Sequence, residues 1–184
     1  HRTPKGKRRK LGSRLHIECA KRGANFLHQD IAKLALRESV YREPGALIDE
    51  ERLWSNLLSS QPRTRLHSQY DHGSVSRATK VQGREPLWMH PSDAQARDIR
   101  EGSVVKVYND RGAILAGVHL SEQMLPGVVQ MSTGAWYDPL DPNEKGTLDK
   151  HGNPNVLTED RGSSRLGQGC SAQSCWVEIA PWRE

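Results

Sequence analysis

Short strand patterns at close spacing limit the fold of this chain more than any other feature of its sequence. Residues 103–109, SVVKVYN, alternate apolar and polar side chains, and residues 113–120, AILAGVHL, follow after the turn DRG. A third strand is predicted at residues 128–132, VVQMS, and a fourth at residues 175–180, CWVEIA. Such strands, with one short helix between them, favour a small β-barrel over a sheet of βαβ units.

Three stretches carry helical patterns. Residues 25–40 place apolar side chains along one stripe, and residues 48–58, IDEERLWSNLL, predict a second and shorter helix. In HPSDAQARDIREG, Ser92 is the expected N-cap, with Gln95 three residues later as its capping-box partner. This third helix is expected to stop at Gly102, because glycine commonly follows the last turn.

Basic charge is concentrated at the N-terminal end. Residues 1–42 contain 12 Lys or Arg against 3 Asp or Glu, whereas the other residues contain 15 against 19. The segment KGKRRK can neutralise phosphates, but no aromatic side chains interleave with it to stack bases. We therefore expect a solvated basic arm and do not expect nucleic acid as a partner; salt-dependent DNA binding is the observation that would favour a nucleic-acid binder instead.

Several classes of protein are excluded by absent patterns. No run approaches 18 apolar residues, so no membrane-spanning helix is expected. The first residues also lack the apolar core of a signal peptide, which leaves localisation open. The chain contains no G-x-S-x-G, P-loop or G-x-G-x-x-G motif. Cys19, Cys170 and Cys175 match no zinc spacing, and the eight histidines are scattered. We therefore predict neither a protein-held metal nor a catalytic residue in this chain.

Residues 61–69, QPRTRLHSQ, form the first of two dense polar segments. Arg63 and Arg65 supply forked donors of the kind that bind phosphate oxygens in pairs, and His67 adds a donor and an acceptor of another shape. Composition alone leaves two interpretations open, a solvated loop and the lining of a binding site. Its position directly after the apolar LWSNLL favours the lining.

Residues 151–174, HGNPNVLTEDRGSSRLGQGCSAQS, form the second polar segment. Asn153, Asn155, Gln168 and Gln173 place four carboxamides on glycine-rich backbone with few large apolar side chains between them. A carboxamide both donates and accepts hydrogen bonds without carrying charge. The segment therefore indicates a site for a flat heterocycle whose edge alternates donors and acceptors.

Six separated motifs resemble one known family when they are taken in order. They are LLSSQPRTRLHSQ, GREPLWMHPSDAQARDI, VYNDRGAILAGV, PGVVQMSTGAWYDP and KHGNPNVLT with QGCSAQS. The series, from about Leu57 to Ile179, resembles the C-terminal molybdopterin-dinucleotide-binding domain of the dimethyl sulfoxide reductase family. Within that family it is most similar to the biotin sulfoxide reductases, with the trimethylamine N-oxide reductases next.

The resemblance implies a mainly β fold with short helices, a double-psi β-barrel of the aspartate-decarboxylase-like kind. Residues 56–184 would form this cofactor-binding domain. Residues 1–55 would precede it as a basic, partly helical N-terminal arm that does not follow the family pattern.

The same resemblance implies roles for individual residues toward bis(molybdopterin guanine dinucleotide) molybdenum. One pterin and its diphosphate would be lined by Ser60, Gln61, Arg65, His67, Ser68 and Gln69. The edges of the ring system would be met by Asn153, Asn155 and Gln168. Trp136 and Tyr137, which composition alone assigns either to the core or to a pocket wall, would stand near the entrance.

The implied function is the cofactor-binding part of a molybdenum-dependent S- or N-oxide reductase acting on biotin sulfoxide, dimethyl sulfoxide or trimethylamine N-oxide. In this family a serine of an earlier domain ligates molybdenum, and this sequence has no counterpart to it. The remaining reductase domains are thus expected partners, and the chain alone is expected to be inactive. The alternative is a stand-alone module that binds a pterin or nucleotide, or docks a partner, without catalysis. Localisation is left open between a bacterial cytoplasm and periplasm.

Overall fold

The computed structural model describes residues 53–170 and 172–183 of the chain. Every described residue belongs to one compact unit, residues 49–184. The predicted basic arm and the predicted helix over residues 25–40 lie outside the described residues. In the described part, no helix has the length and apolar character needed to cross a membrane.

Six strands and two short helices make up the described unit. The strands are β1 (Ser55–Ser60), β2 (Pro86–Met89), β3 (Val104–Asn109), β4 (Gly112–Leu120), β5 (Val128–Ser132) and β6 (Ser174–Pro181). The helices are α1 (Ser74–Arg77) and α2 (Pro91–Gln95), and a 3-10 turn spans Pro154–Val156. Strands β3 to β6 confirm the four strands predicted from alternation, while β1 and β2 were not predicted.

The six strands close into a barrel in the order β1, β5, β2, β4, β3, β6. Strands β1 and β5 pair in parallel, as do β2 and β4, and the other neighbours are antiparallel. Two parallel pairs within a closed six-stranded barrel give the double-psi topology, which confirms the expected fold. Closure also removes every exposed sheet edge.

The barrel interior is filled by apolar side chains, since inward and outward positions alternate along each strand. The largest of those that are fully buried are Leu57, Leu87, Met89, Ile114, Met131 and Leu157, with five valines between them. A barrel of this size has no room for a ligand at its centre. Any binding site must therefore be built by the loops at an end of the barrel.

The helix predicted over residues 48–58 is wrong where the structure describes it. Residues 55–58 lie in β1, and Ser55, Leu57 and Ser59 point inward with less than 6% exposure. The strand pairs with β5 on one side and with β6 on the other. Pairing on both edges outweighs the weak local preference for helix.

The third predicted helix exists but has different ends. Pro91 occupies its first position and His90 is the N-cap, with Nδ1 accepting a hydrogen bond from the Ser92 amide at 3.1 Å. The helix ends at Gln95, before the expected stop. Asp98 adopts a positive φ of 53°, and the amide of Ile99 reaches back to the Ala94 carbonyl at 2.9 Å, which ends the helix earlier.

Candidate functional site

The parallel pairing of β1 and β5 determines where the candidate site lies. Parallel strands end at the same edge of a sheet, so the segments that follow Ser60 and Ser132 leave the barrel side by side. The Thr133 amide donates to the Ser60 carbonyl at 2.8 Å and continues the pairing beyond β5. The polar segment after β1 and the GAWYDP segment after β5 are therefore neighbours.

These two segments and the Pro154–Val156 turn enclose an open cavity of about 500 Å³, here called the groove. The segment after β1 forms its first wall, the segment after β5 its second, and the turn with Asn153 its third. Its lining includes His67, Ser68, Trp136, Tyr137, Asn153 and Asn155. Residues of the two polar segments, which are separated by more than 80 residues in the sequence, thus line one cavity. Five residues proposed for cofactor contact, His67, Ser68, Trp136, Asn153 and Asn155, line the groove, and Tyr137, expected near the entrance, lines it as well.

The other five proposed residues lie outside the groove lining. Ser60 Oγ accepts a hydrogen bond from a neighbouring strand, from Gln130 Nε2 at 2.6 Å. The side-chain carboxamide of Gln168 donates through Nε2 to two backbone carbonyls of its own loop. Gln61 and Gln69 are exposed. Arg65 points the other way, since its side chain is 1% exposed and lies beneath the groove.

Gly134 determines how closely the two groove walls approach each other. Its φ is +84°, a conformation that side chains disfavour, and a Cβ built on it would overlap the carbonyl of His67. The same Cβ would stand 2.8 Å from the Ser68 amide nitrogen. Only glycine therefore lets the segment after β5 pack against the backbone of the segment after β1.

Five ionisable side chains form a buried cluster beneath the groove, here called the charge network: Arg65, Asp71, Lys80, Glu85 and His151. The first four are between 0% and 3% exposed, and His151 is 11% exposed. Lys80 Nζ lies 2.6 Å from Asp71 and 2.5 Å from Glu85, and Arg65 lies 3.4 Å and 3.2 Å from the same two carboxylates. Two cations balance two anions, which limits the cost of burying them.

The charge network is bonded to the backbone of both groove walls. Arg65 donates to the carbonyl of His67 at 3.1 Å and to that of Thr133 at 2.8 Å. Asp71 Oδ2 accepts from the backbone amide of Trp136 at 2.9 Å. The guanidinium of Arg65 therefore holds the walls in position from below and does not present its donors to a ligand in the groove.

The third wall of the groove is held by a buried carboxylate that bonds to backbone amides. Asp149 is fully buried, and its oxygens accept from the amides of Asp138, Gly152 and Asn153 at 2.7 to 2.8 Å. Asn153 Oδ1 in turn accepts from the amide of Asn155 and caps the 3-10 turn. The turn that carries the two groove asparagines is thereby fixed.

The pKa of Asp71 lies well below its ordinary value of 3.8. Burial by itself raises this pKa, but the hydrogen bonds from Lys80, the Trp136 amide and His151, together with the charge of Lys80, outweigh burial. The folded protein therefore holds Asp71 as a carboxylate in moderately acidic solution.

Because the pKa of Asp71 is lower in the folded state, its contribution to stability is complete above about pH 5 and is lost as the pH falls below 4 toward the lowered value. Asp71→Asn should therefore flatten the dependence of the unfolding free energy on pH between 5 and 2. Urea unfolding across that range measures the slope for both proteins. Equal slopes would show that Asp71 is not held in its ionised form by folding.

The chemistry of the groove lining fits a neutral heterocycle. Among the described lining residues there is no carboxylate, Lys or Arg. The polar side-chain groups are hydroxyls, carboxamides, one imidazole and the indole of Trp136, whose N–H donates to the Ser68 carbonyl. Thr133 Oγ1 is buried without a hydrogen-bond partner in the described part of the chain. A buried hydroxyl in that state favours a ligand atom that completes its bonding. The lining therefore offers donors and acceptors that match the edge of a pterin.

Asp71, His72 and His151 place ligand-type atoms within 4.8 Å of one another. The ammonium of Lys80 lies 2.6 Å from Asp71 Oδ1 and 3.2 Å from His151 Nε2, so a cation already stands beside two of the three groups. A metal ion placed there would be repelled by Lys80. We assign no metal to this cluster.

Sequence patterns did not identify the charge network. Asp71, Lys80 and Glu85 lie in a polar stretch that composition assigns to solvent, and His151 follows some 65 residues later. The one available signal is the position of Glu85 directly before β2, since the chain enters the barrel there.

Two family models match the chain. Residues 56–176, well over half of it, match the Molydopterin dinucleotide binding domain. Residues 1–64 match the PD-(D/E)XK nuclease superfamily, over about a third of the chain. Residues 1–64 contain neither a Pro-Asp pair nor an Asp or Glu two positions before a Lys, the spacing that the superfamily's name describes. The groove belongs to the first match.

Curated relatives of the barrel are reductases. The chain is 46% identical over 124 residues to the dimethyl sulfoxide/trimethylamine N-oxide reductase of Cereibacter sphaeroides and 49% identical over 125 residues to trimethylamine-N-oxide reductase 1 of Escherichia coli (strain K12). Each match covers 67% of this chain and 15% of the relative. The chain thus spans less than a fifth of the length of these proteins.

A solved structure supports the fold independently. Acetylene hydratase from Pelobacter acetylenicus superposes with a TM-score of 0.54 at 14% identity, over 70% of this chain and 18% of that one. At this level of identity the likeness concerns the fold alone. The family match, the relatives and the barrel agree, and the chain belongs to the molydopterin dinucleotide binding domain family, of the dimethyl sulfoxide reductase type.

Proposed function

We propose that residues 56–184 form the cofactor-binding C-terminal part of a molybdenum-dependent S- or N-oxide reductase. The observation that carries this proposal is the groove, a cavity of about 500 Å³ with a neutral lining. His67 and Ser68 line it together with Asn153 and Asn155. The relatives named above are dimethyl sulfoxide and trimethylamine N-oxide reductases, which favours substrates of that class.

In this proposal the groove receives a pterin of bis(molybdopterin guanine dinucleotide). The bound cofactor supplies the oxygen-atom transfer chemistry, and the protein orients it. Asn155 is exposed in the groove, and its carboxamide makes no hydrogen bond to another described residue, so both its donor and its acceptor are available. Thr133 Oγ1 adds a buried partner, and the rings of Trp136 and Tyr137 exclude water from one side.

The phosphate contact expected of Arg65 needs revision within this proposal. Its guanidinium is committed to the charge network and to two backbone carbonyls, so it acts on the ligand through the groove walls. Arg63 is exposed in the same segment and keeps its forked donors for a diphosphate. Ser60, Gln61, Gln69 and Gln168 stay proposed contacts outside the groove lining.

Asn155→Leu in the complete reductase that carries this domain should lower molybdenum content about tenfold or more. The change removes a donor and an acceptor from the groove, and one or two lost hydrogen bonds correspond to about 1–3 kcal/mol. Because the backbone of Asn155 makes the capping contact, the turn itself should persist. Elemental analysis of the purified enzyme measures the metal, and thermal unfolding reports on the fold.

Gln123→Leu is the matched control, since it replaces an exposed carboxamide that lies outside the groove lining and is not a proposed cofactor contact. It should leave molybdenum content unchanged. Full metal occupancy in Asn155→Leu would remove the groove from the cofactor site, whatever the control shows.

A stand-alone binding module is the second candidate, because all three groove walls come from this one chain. Binding of a tetrahydropterin to the isolated chain, without reductase activity, favours this candidate. Failure to bind it, together with cofactor incorporation in the complete reductase, favours the first.

A further inference from the structure

The segment from Asp71 to Glu85 lies under the groove and contributes three members of the charge network. It connects the first groove wall to β2 and includes the short helix α1. Neither the family match nor the polar segments of the sequence single out its charged side chains. Asp71, Lys80 and Glu85 nevertheless each lie within 3.2 Å of a residue in or next to a groove wall, namely Trp136, His151 and Arg65.

Lys80 lies at the centre of these contacts. Its ammonium contacts Asp71, Glu85 and His151 at 2.6, 2.5 and 3.2 Å. With 3% exposure it cannot reach a ligand in the groove. A buried ammonium group is stable only beside carboxylates, and buried carboxylates are stable only beside a cation. Removal of either partner therefore destabilises the other.

His151 links the charge network to the third wall. Its Nε2 lies 2.8 Å from Asp71 Oδ2, and the tautomer with the proton on Nε2 donates to that carboxylate. In that tautomer Nε2 accepts nothing from the Lys80 ammonium 3.2 Å away, so Lys80 acts on His151 through Asp71. Its backbone carbonyl accepts from the Glu85 amide at 2.9 Å, and Gly152 and Asn153 follow directly. The ring of His72 stacks on His151 at 5.1 Å and meets Trp136 edge-on at 5.0 Å.

We infer that Lys80 is a positioning residue for the groove, acting through Asp71, Glu85 and His151 to keep the three walls at the separation that a flat ligand requires. Asp71 holds the Trp136 amide, Arg65 holds the first wall, and His151 begins the third. The ligand in this inference is the pterin of the proposed function. The predicted effect of Lys80 on the position of the walls does not depend on that ligand.

The test uses three variants of the full chain. Lys80→Met with Glu85→Gln removes one cation and one anion, so that Arg65 and Asp71 still balance each other and the fold is retained. Lys80→Arg keeps the charge and is the rescue variant. Lys150→Met is the matched control, because Lys150 pairs with Asp138 at 3.2 Å on the surface, with 40% and 57% exposure.

Two readouts separate positioning from general stabilisation. Amide hydrogen exchange is followed at Trp136 and Gly152 in the groove walls and at Val107 and Val118 in the core. Affinity for a tetrahydropterin, the bare head group, is measured by chemical-shift titration well below the melting temperature.

The double variant should exchange at least tenfold faster at Trp136 with core exchange unchanged, and its pterin affinity should fall about tenfold. Lys80→Arg should recover part of both, and Lys150→Met should match the natural chain. Uniformly faster exchange with unchanged affinity would overturn the inference, because Lys80 would then only stabilise the barrel. If the natural chain alone binds no tetrahydropterin, the proposed site is judged in the complete reductase by the Asn155→Leu variant, and the wall exchange alone decides whether Lys80 positions the walls.

Discussion

Gly134→Ala should remove the groove while the barrel strands remain able to pair. A side chain at a φ of +84° costs about 1–2 kcal/mol, and the new Cβ would also overlap the backbone of His67. Since backbone cannot swing aside as a flexible side chain does, the two walls must separate. We expect a total loss of roughly 3 kcal/mol or more in unfolding free energy and more than tenfold weaker pterin binding. Urea unfolding and ligand titration measure the two effects.

Gly127→Ala is the matched control for backbone strain. Gly127 has a φ of +79°, close to that of Gly134, but a Cβ built there meets nothing within 4 Å. It should show the conformational cost alone and leave ligand affinity unchanged. Equal losses in the two variants would mean that the approach of the walls at Gly134 contributes nothing beyond strain.

Asp149→Leu should produce the largest loss of stability among these changes. The buried carboxylate accepts from three backbone amides, and leucine would leave all three without their partner in a closed environment. At about 1–3 kcal/mol for each of the three amides, the loss is roughly 3–9 kcal/mol, comparable with the whole stability of a small domain. Chemical unfolding and the yield of folded protein measure the effect.

Asp141→Leu provides the comparison. Asp141 also accepts from a backbone amide, that of Asn143 at 2.8 Å, but both residues are exposed, so water can replace the carboxylate. We expect a change below about 1 kcal/mol. A fully stable Asp149→Leu protein would show that its three amides find other acceptors, and the third wall would then need another explanation.

Alternation predicted β3 to β6 because each of those strands has one face in the barrel core. It failed for β1, since LWSNLLSS also has helical spacing and only the pairing with β5 and β6 decides between the two. It failed for β2 because four residues beginning with proline are too short to show a period. The strand structure of β1 and β2 is therefore determined by pairing with strands distant in sequence, which a local pattern does not encode.

The polar segments that line the groove were predictable from the sequence, but the buried charged residues that hold them in position were not. His67 and Asn155 carry exposed polar groups on loops, which sequence patterns and family resemblance can identify. The prediction that Arg65 contacts phosphate shows why. Its guanidinium has the geometry to bind phosphate, but in the structure it is buried against Asp71 and Glu85 and pairs with their carboxylates. Whether a charged side chain faces solvent or a buried partner depends on tertiary contacts that no local pattern encodes.

The pairing of β1 with β6 has a consequence for the order of events during synthesis. Asn56 and Leu57 lie opposite Trp176 and Cys175, so the first strand of the barrel meets one of its two neighbours only when the last strand has left the ribosome. Contacts this distant in sequence form late in folding. Since the groove depends on the closed barrel, its ligand can be inserted only after translation of the domain has finished.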